Sequence, residues 1–112
     1  MERGKCAVQS ISIATGVPFD MVFEAFITLT QFEGLPDPAT HGIPADLFEY
    51  YLKSIGWEKI PYHKVVDTLP DNDVFIVELS DHATCVVYGT MLDFVDSRRR
   101  KAICYYRRMS YE

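Results

Sequence analysis

Apolar residues in the first half of the chain recur at helical spacing. In the second half they alternate or run together, as strand residues do. Cys6 to Thr15 puts Ala7, Val8, Ile11 and Ala14 on one side of a helix, and Gly16 closes it. Pro18 opens a second helix that runs to about Thr30, with Phe19, Val22, Phe23, Phe26 and Ile27 as a broad core stripe. Residues 31–42, with Gly34, Pro36, Pro38 and Gly42, read as a loop. Ile43 to Ile55 is a third helix, with Pro44 in its first turn. Its apolar face is Leu47, Phe48, Tyr51, Leu52 and Ile55, and Gly56 is its stop.

Strand signals follow. Trp57 to Pro61 is a short extended piece that Pro61 confines to an edge or a loop. Val65 to Leu69 leads into Pro70-Asp71-Asn72-Asp73, a turn. Val74 to Leu79 is apolar nearly throughout, which predicts a central strand. Ser80 to Ser97 reads as a hairpin: apolar and β-branched residues up to Tyr88, a turn at Gly89-Thr90, and a return from Met91 to Val95. Ala102 to Met109 is the last strand. The order predicts an α+β fold, with about three N-terminal helices packed on a C-terminal antiparallel sheet of about four strands. The 112 residues suffice for one core, hence a single domain over 1–112.

Charge narrows the function. Eleven basic against sixteen acidic side chains give a net charge of −5, which opposes a sequence-independent grip on nucleic acid. The basic run Arg98-Arg99-Arg100-Lys101 then reads as a solvated turn. No apolar run reaches membrane-spanning length, and Met1 to Lys5 does not resemble a signal peptide, so no membrane partner is expected. The three cysteines, Cys6, Cys85 and Cys104, lack the close spacing of a metal ligand set, and their odd number argues against a disulfide framework. Free thiols in a reducing, cytoplasmic setting follow. Cys85 and Cys104 read as small buried hydrophobes, and His41 and His63 as solvated histidines.

The chemistry concentrates in the hairpin. His82 opens its first strand and Asp96 closes its second, each seven residues from Gly89. A loop centred on Gly89 sets them face to face. Imidazole beside carboxylate is the base-and-orienter half of a nucleophilic triad, and Cys6 is the candidate nucleophile. A strict Gly89-Thr90 loop would instead move Asp96 to the wrong face. Asp93 would then share the face of His82, but too far along the strand to touch it. Asp96 is the favoured third member and Asp93 the alternative. A cysteine in the first turn of a helix gains from the free N–H groups and dipole there, which predicts a thiolate beside an imidazolium.

A helix opening on cysteine, then a strand opening on histidine, then an acid, resembles the papain-like cysteine peptidase superfamily. The segments concerned are Cys6-Ala7-Val8-Gln9-Ser10-Ile11, His82-Ala83-Thr84-Cys85-Val86-Val87 and Val95-Asp96-Ser97. With Ala14-Thr15-Gly16, Tyr51-Leu52-Lys53-Ser54-Ile55-Gly56-Trp57, Asp93-Phe94-Val95-Asp96-Ser97 and Cys104-Tyr105-Tyr106, the chain is similar to small papain-like proteins encoded by tailed bacteriophages. The resemblance implies a thiol hydrolase or acyl-transfer protein acting on a peptide, isopeptide or amide bond. No cofactor or metal is implied, the substrate is a protein or peptide, and the site is the host cytoplasm. Papain-like enzymes usually carry an oxyanion-stabilising Gln, Asn or Asp a few residues before the cysteine. Here Met1 to Lys5 offers none, and Gln9 lies one turn on. The same resemblance carries a second expectation, a catalytically inactive papain-like protein that binds a host or phage protein.

Overall fold

The computed structural model describes residues 3–93 and 96–109. Among them the helices are α1 (Arg3–Thr15), α2 (Phe19–Phe32), α3 (Pro38–His41) and α4 (Ala45–Ser54), and the strands are β1 (Trp57–Pro61), β2 (Val74–Glu78), β3 (Ala83–Val87), β4 (Thr90–Met91) and β5 (Cys104–Arg108). A short 3₁₀ turn, Val66–Thr68, lies between β1 and β2. The sheet is antiparallel in the order β1-β5-β2-β3-β4. The α+β reading holds, helices first and strands after.

Several boundaries differ from the pattern, each for a local reason. The 31–42 loop contains α3, because the Asp37 carboxylate accepts the Ala39 N–H at 2.9 Å and Pro38 supplies a pre-set φ for the first turn. The next helix begins at Ala45, with Pro44 as its cap in extended conformation. The Trp57–Pro61 piece is a full edge strand, its Pro61 opposite Cys104 at the strand end where a missing N–H does least harm. Val74–Glu78 is central as expected, between β5 and β3.

The helices cover one face of the sheet. Val8, Ile11, Val22, Phe26 and Leu52 are buried there against Ile76, Cys85, Cys104 and Tyr106. The Tyr106 ring meets the edge of Phe48 at 5.6 Å between centroids. Burying such a ring contributes about 2–3 kcal/mol. The other face packs Phe75, Val77 and Val86 under the 3₁₀ segment, with Tyr105 stacked edge-on to Phe75 at 5.0 Å. α1 lies along β3 and touches β2, α2 and α3. Every apolar position read from the α1 spacing is buried: Ala7, Val8, Ile11 and Ala14.

The hairpin turn is the informative departure. Val86 lies opposite Met91 and Val87 opposite Thr90, so the loop is Tyr88-Gly89, one residue earlier than the Gly89-Thr90 expected. Both loop residues have positive φ, 47° at Tyr88 and 84° at Gly89, the signature of a type I′ turn. Tyrosine rarely adopts that conformation, and no Asn-Gly or Asp-Gly marked the position. A Cβ on Gly89 would sit 2.9 Å from the Asp71 Cβ, so the turn is also pressed against the 70–73 turn. Gly89→Ala is expected to cost about 1–2 kcal/mol from left-handed strain and this contact. Tyr88→Asn, which keeps the conformation in a residue that tolerates it, is expected to raise the thermal midpoint by a few degrees. Thermal unfolding followed by circular dichroism checks both; equal midpoints for wild type and Gly89→Ala would exclude the left-handed turn.

Candidate active site

α1 brings Cys6 to the sheet, and the turn at Ser80-Asp81 delivers His82 to meet it. That turn is closed by Leu79 N–H donating to the His82 carbonyl at 2.8 Å, one step before β3 begins. The His82 Nδ1 lies 3.1 Å from the Cys6 Sγ, and its Nε2 lies 2.5 Å from the Asp93 Oδ2. A carboxylate only accepts, so Nε2 carries the proton, and the Nδ1 lone pair is left to accept the thiol S–H. Thiol, imidazole and carboxylate thus form one chain of donors and acceptors. The imidazole is turned the opposite way to the serine-hydrolase arrangement, in which Nε2 faces the nucleophile.

Cys6 and His82 stand where the sequence reading put them. Asp96 does not. Its side chain is 62% exposed and paired to Arg98, with Nη2 at 2.8 Å and Nε at 2.9 Å, an arrangement that pushes the Asp96 carboxyl down to about 2. The correction follows from the turn. With the loop at Tyr88-Gly89, the Leu92 N–H pairs with the Cys85 carbonyl at 2.9 Å, and the register continues with Asp93 across from Thr84. Asp93 is then a diagonal neighbour of His82 across the strands, within reach of an imidazole. The assumed centre at Gly89 is off by half a step, which is a change of face for Asp96.

The site is dry. Cys6 is 4% exposed, and the His82 and Asp93 side chains are 9% and 5% exposed. Burial, together with the Asp93 charge, pushes the Cys6 thiol above its ordinary value; the Cys6 and Ala83 backbone N–H groups act the other way. The expected low thiol pKa is therefore not found. α1 already includes Arg3, Gly4 and Lys5 ahead of Cys6, so the cysteine is the fourth residue of the helix and not its first. Cys85 and Cys104 are fully buried in the core, which pushes their thiols up to about 12 and about 11.

Two residues that the sequence reading passed over help to fix the site. A Cβ on Gly4 would lie 2.5 Å from the Pro38 carbonyl oxygen, so the start of α1 rests directly on α3, and glycine is what lets it. Arg100, in the run read as a solvated turn, reaches the Asp81 carboxylate at 2.7 Å and the Ser80 hydroxyl at 3.3 Å, tying the 97–101 segment to the turn that carries His82. The backbone of that segment is pinned as well, by Val66 N–H to the Arg100 carbonyl and Asp67 N–H to the Arg98 carbonyl. Glycine before a cysteine was the one available signal for the first. For the second there was none, because the pairing is long-range.

A cleft of about 230 Å³ adjoins the site, with Ala7, Phe48, Glu78, Leu79, Asp81 and His82 among its walls. Gln9 is half-buried and is not among the residues lining this cleft. Among the described residues no group of three or more His, Cys, Asp and Glu is placed to hold a metal ion, and no helix is long and apolar enough to cross a membrane. His41, whose Nδ1 meets the Thr40 hydroxyl at 2.8 Å, and His63 are both exposed. No family model, curated protein or solved structure matches the chain.

Alkylation of Cys6 by iodoacetamide, followed by mass spectrometry, is expected to rise only above the ordinary free-cysteine range of about 8.5, because the buried thiol must first lose its proton. Asp93→Asn removes the negative charge that raises the thiol and is expected to shift this onset to lower pH, whereas Asp96→Asn leaves it in place. Labelling in wild type as fast at pH 6 as at about pH 8 would instead mean a thiolate already formed.

Proposed function

We propose that the chain is a papain-like thiol hydrolase or acyl-transfer protein acting on a peptide, isopeptide or amide bond. The observation that carries the reading is the continuous Cys6–His82–Asp93 chain of hydrogen bonds between a helix and a sheet. Residues more than seventy positions apart converge there in the donor–acceptor order that nucleophilic catalysis needs.

The raised thiol pKa favours a concerted start. As Sγ attacks the carbonyl carbon, the thiol proton passes to the His82 Nδ1, and Asp93 stabilises the imidazolium that forms. Collapse of the tetrahedral intermediate breaks the C–N bond, and His82 returns the proton to the leaving amine. Water, or an acceptor amine in transfer, then attacks the thioester with its proton going to His82. The acid or the new amide leaves, and the Cys6 thiol is restored. The Ala83 backbone N–H beside the sulfur is the candidate donor for the oxyanion. The cleft lined by Ala7 and His82 is the candidate approach for a substrate carbonyl to this pair.

The test uses an activated ester, p-nitrophenyl acetate, and intact-mass detection of an acetyl group on Cys6. Acylation is expected in wild type, absent in Cys6→Ala with an unchanged far-UV spectrum, and reduced by about 10²-fold or more in His82→Ala. Asp93→Asn is expected to lose about 10²- to 10⁴-fold, and Asp96→Asn less than about twofold. Acylation elsewhere on the chain, or independent of His82, overturns the reading. A second reading, a non-catalytic protein-binding domain, draws on the groove between α2 and α4, where Phe32 and Tyr50 are 86% and 61% exposed. Partner capture that survives Cys6→Ala but not Phe32→Ser would favour it.

A further inference from the structure

The cleft beside the Cys6–His82 pair has a composition that selects its occupant. Ala7 of α1, Phe48 of α4, Ile43, Leu79 and Ile103 give it apolar walls. Its acids are Glu78, at the end of β2, and Asp81. The Asp81 carboxylate is already paired to Arg100 at 2.7 Å. Glu78 differs: among the described residues its carboxyl has no hydrogen-bond donor and no ion-pair partner. Lys59, whose charge reaches it, is itself held by Glu49 at 2.9 Å. Half-burial without a donor pushes the Glu78 carboxyl above its ordinary value. Strand alternation points Glu78 to the helix-covered face with Ile76, and in register it lies between Ala83 on β3 and Cys104 on β5.

A half-buried carboxylate that no protein group bonds is free to accept a donor from a ligand entering the cleft. The cleft is smaller than the roughly 300–1,000 Å³ typical of cofactor sites and suits a single side chain. The apolar walls match a methylene stem, and the acid matches a cationic tip. We propose that this cleft binds an aliphatic ammonium side chain of lysine type next to the bond attacked by Cys6, with Glu78 as its counter-ion. The inference rests on the thiol-hydrolase reading and names its substrate class: a peptide with a free lysine side chain next to the bond attacked. Glu78 is a specificity residue here, not a member of the proton-transfer chain.

The experiment uses three iodoacetamides that share one electrophile and differ in the tail on the amide nitrogen: aminobutyl, butyl and carboxypropyl. Each is reacted with the folded protein at moderate salt, and the rate of Cys6 modification is read by peptide mass spectrometry. Rates are normalised to those with the unfolded protein, which removes intrinsic differences between reagents. The aminobutyl reagent is expected to react roughly fivefold or more faster than the butyl one, and the carboxypropyl reagent slowest. In Glu78→Gln, which keeps the shape, the preference is expected to collapse toward one. Glu24→Gln, at an exposed acid on α2 outside the cleft, changes net charge equally and is expected to keep it.

A ratio near one in wild type, or a preference that survives Glu78→Gln, overturns the assignment while leaving the hydrolase reading standing. The hydrolase reading fails separately, on absolute rates, if His82→Ala leaves Cys6 modification by all three reagents unchanged. In that event the inference about substrate falls with it, even where the tail preference remains.

Discussion

One imidazole ring joins the two halves of this molecule. His82 spends one nitrogen on a helix residue and the other on a residue beyond β4, and both contacts are removed from water. A buried polar chain of this kind is stable only when each donor finds its acceptor, since a polar group left alone in a dry site costs about 1–3 kcal/mol. The placement of α1 on β3, the turn before His82 and the register of the following strand are therefore not independent choices. A shift in any one breaks a contact of the His82 ring. The supports around the ring fit that demand: Gly4 lets α1 settle on the Pro38 carbonyl, and Arg100 anchors Asp81 beside the histidine.

The same dryness sets the chemistry. A first-turn cysteine in contact with solvent would hold a thiolate at neutral pH. Cys6 is buried and faces the Asp93 charge through the ring, so the neutral thiol is favoured and proton transfer is tied to attack. The remaining thiols, Cys85 and Cys104, are core residues and take no part.

Much of this was legible in the sequence, and what was not has a common cause. Helical spacing identified the buried face of α1, an unbroken apolar run the central position of Val74–Glu78, and the residue chemistry on a helix packed against a sheet the meeting of Cys6 with His82. The first two depend on repeated, local regularities. Which acid lies beside His82 was misread because it depends on one turn, and that turn places a tyrosine in a conformation the residue disfavours. Sequence preference pointed to Gly89-Thr90; packing of Gly89 against Asp71 and the Tyr88 N–H bond to the Asp73 carbonyl hold the turn one residue earlier. The short helix at Pro38 and the anchoring by Arg100 escaped for a related reason. One is a four-residue element with little periodicity to detect, and the other joins residues nineteen positions apart.

The strand order has an implication for the making of the protein. The last strand in the chain, Cys104–Arg108, lies between β1 and β2, and those two have no direct pairing. Until it emerges from the ribosome, Trp57–Pro61 is separated from the β2–β3 hairpin by a gap one strand wide, and Ile76 lacks its Tyr106 neighbour. The helices can form as they are synthesised, but the surface they cover is complete only at the end. Closure by a late, long-range strand slows folding and leaves open edges exposed to other chains in the interval. A chain that has not yet added β5 can still seat α1 on β3 and bring Cys6 to His82, while β1 stays unpaired with the rest of the sheet.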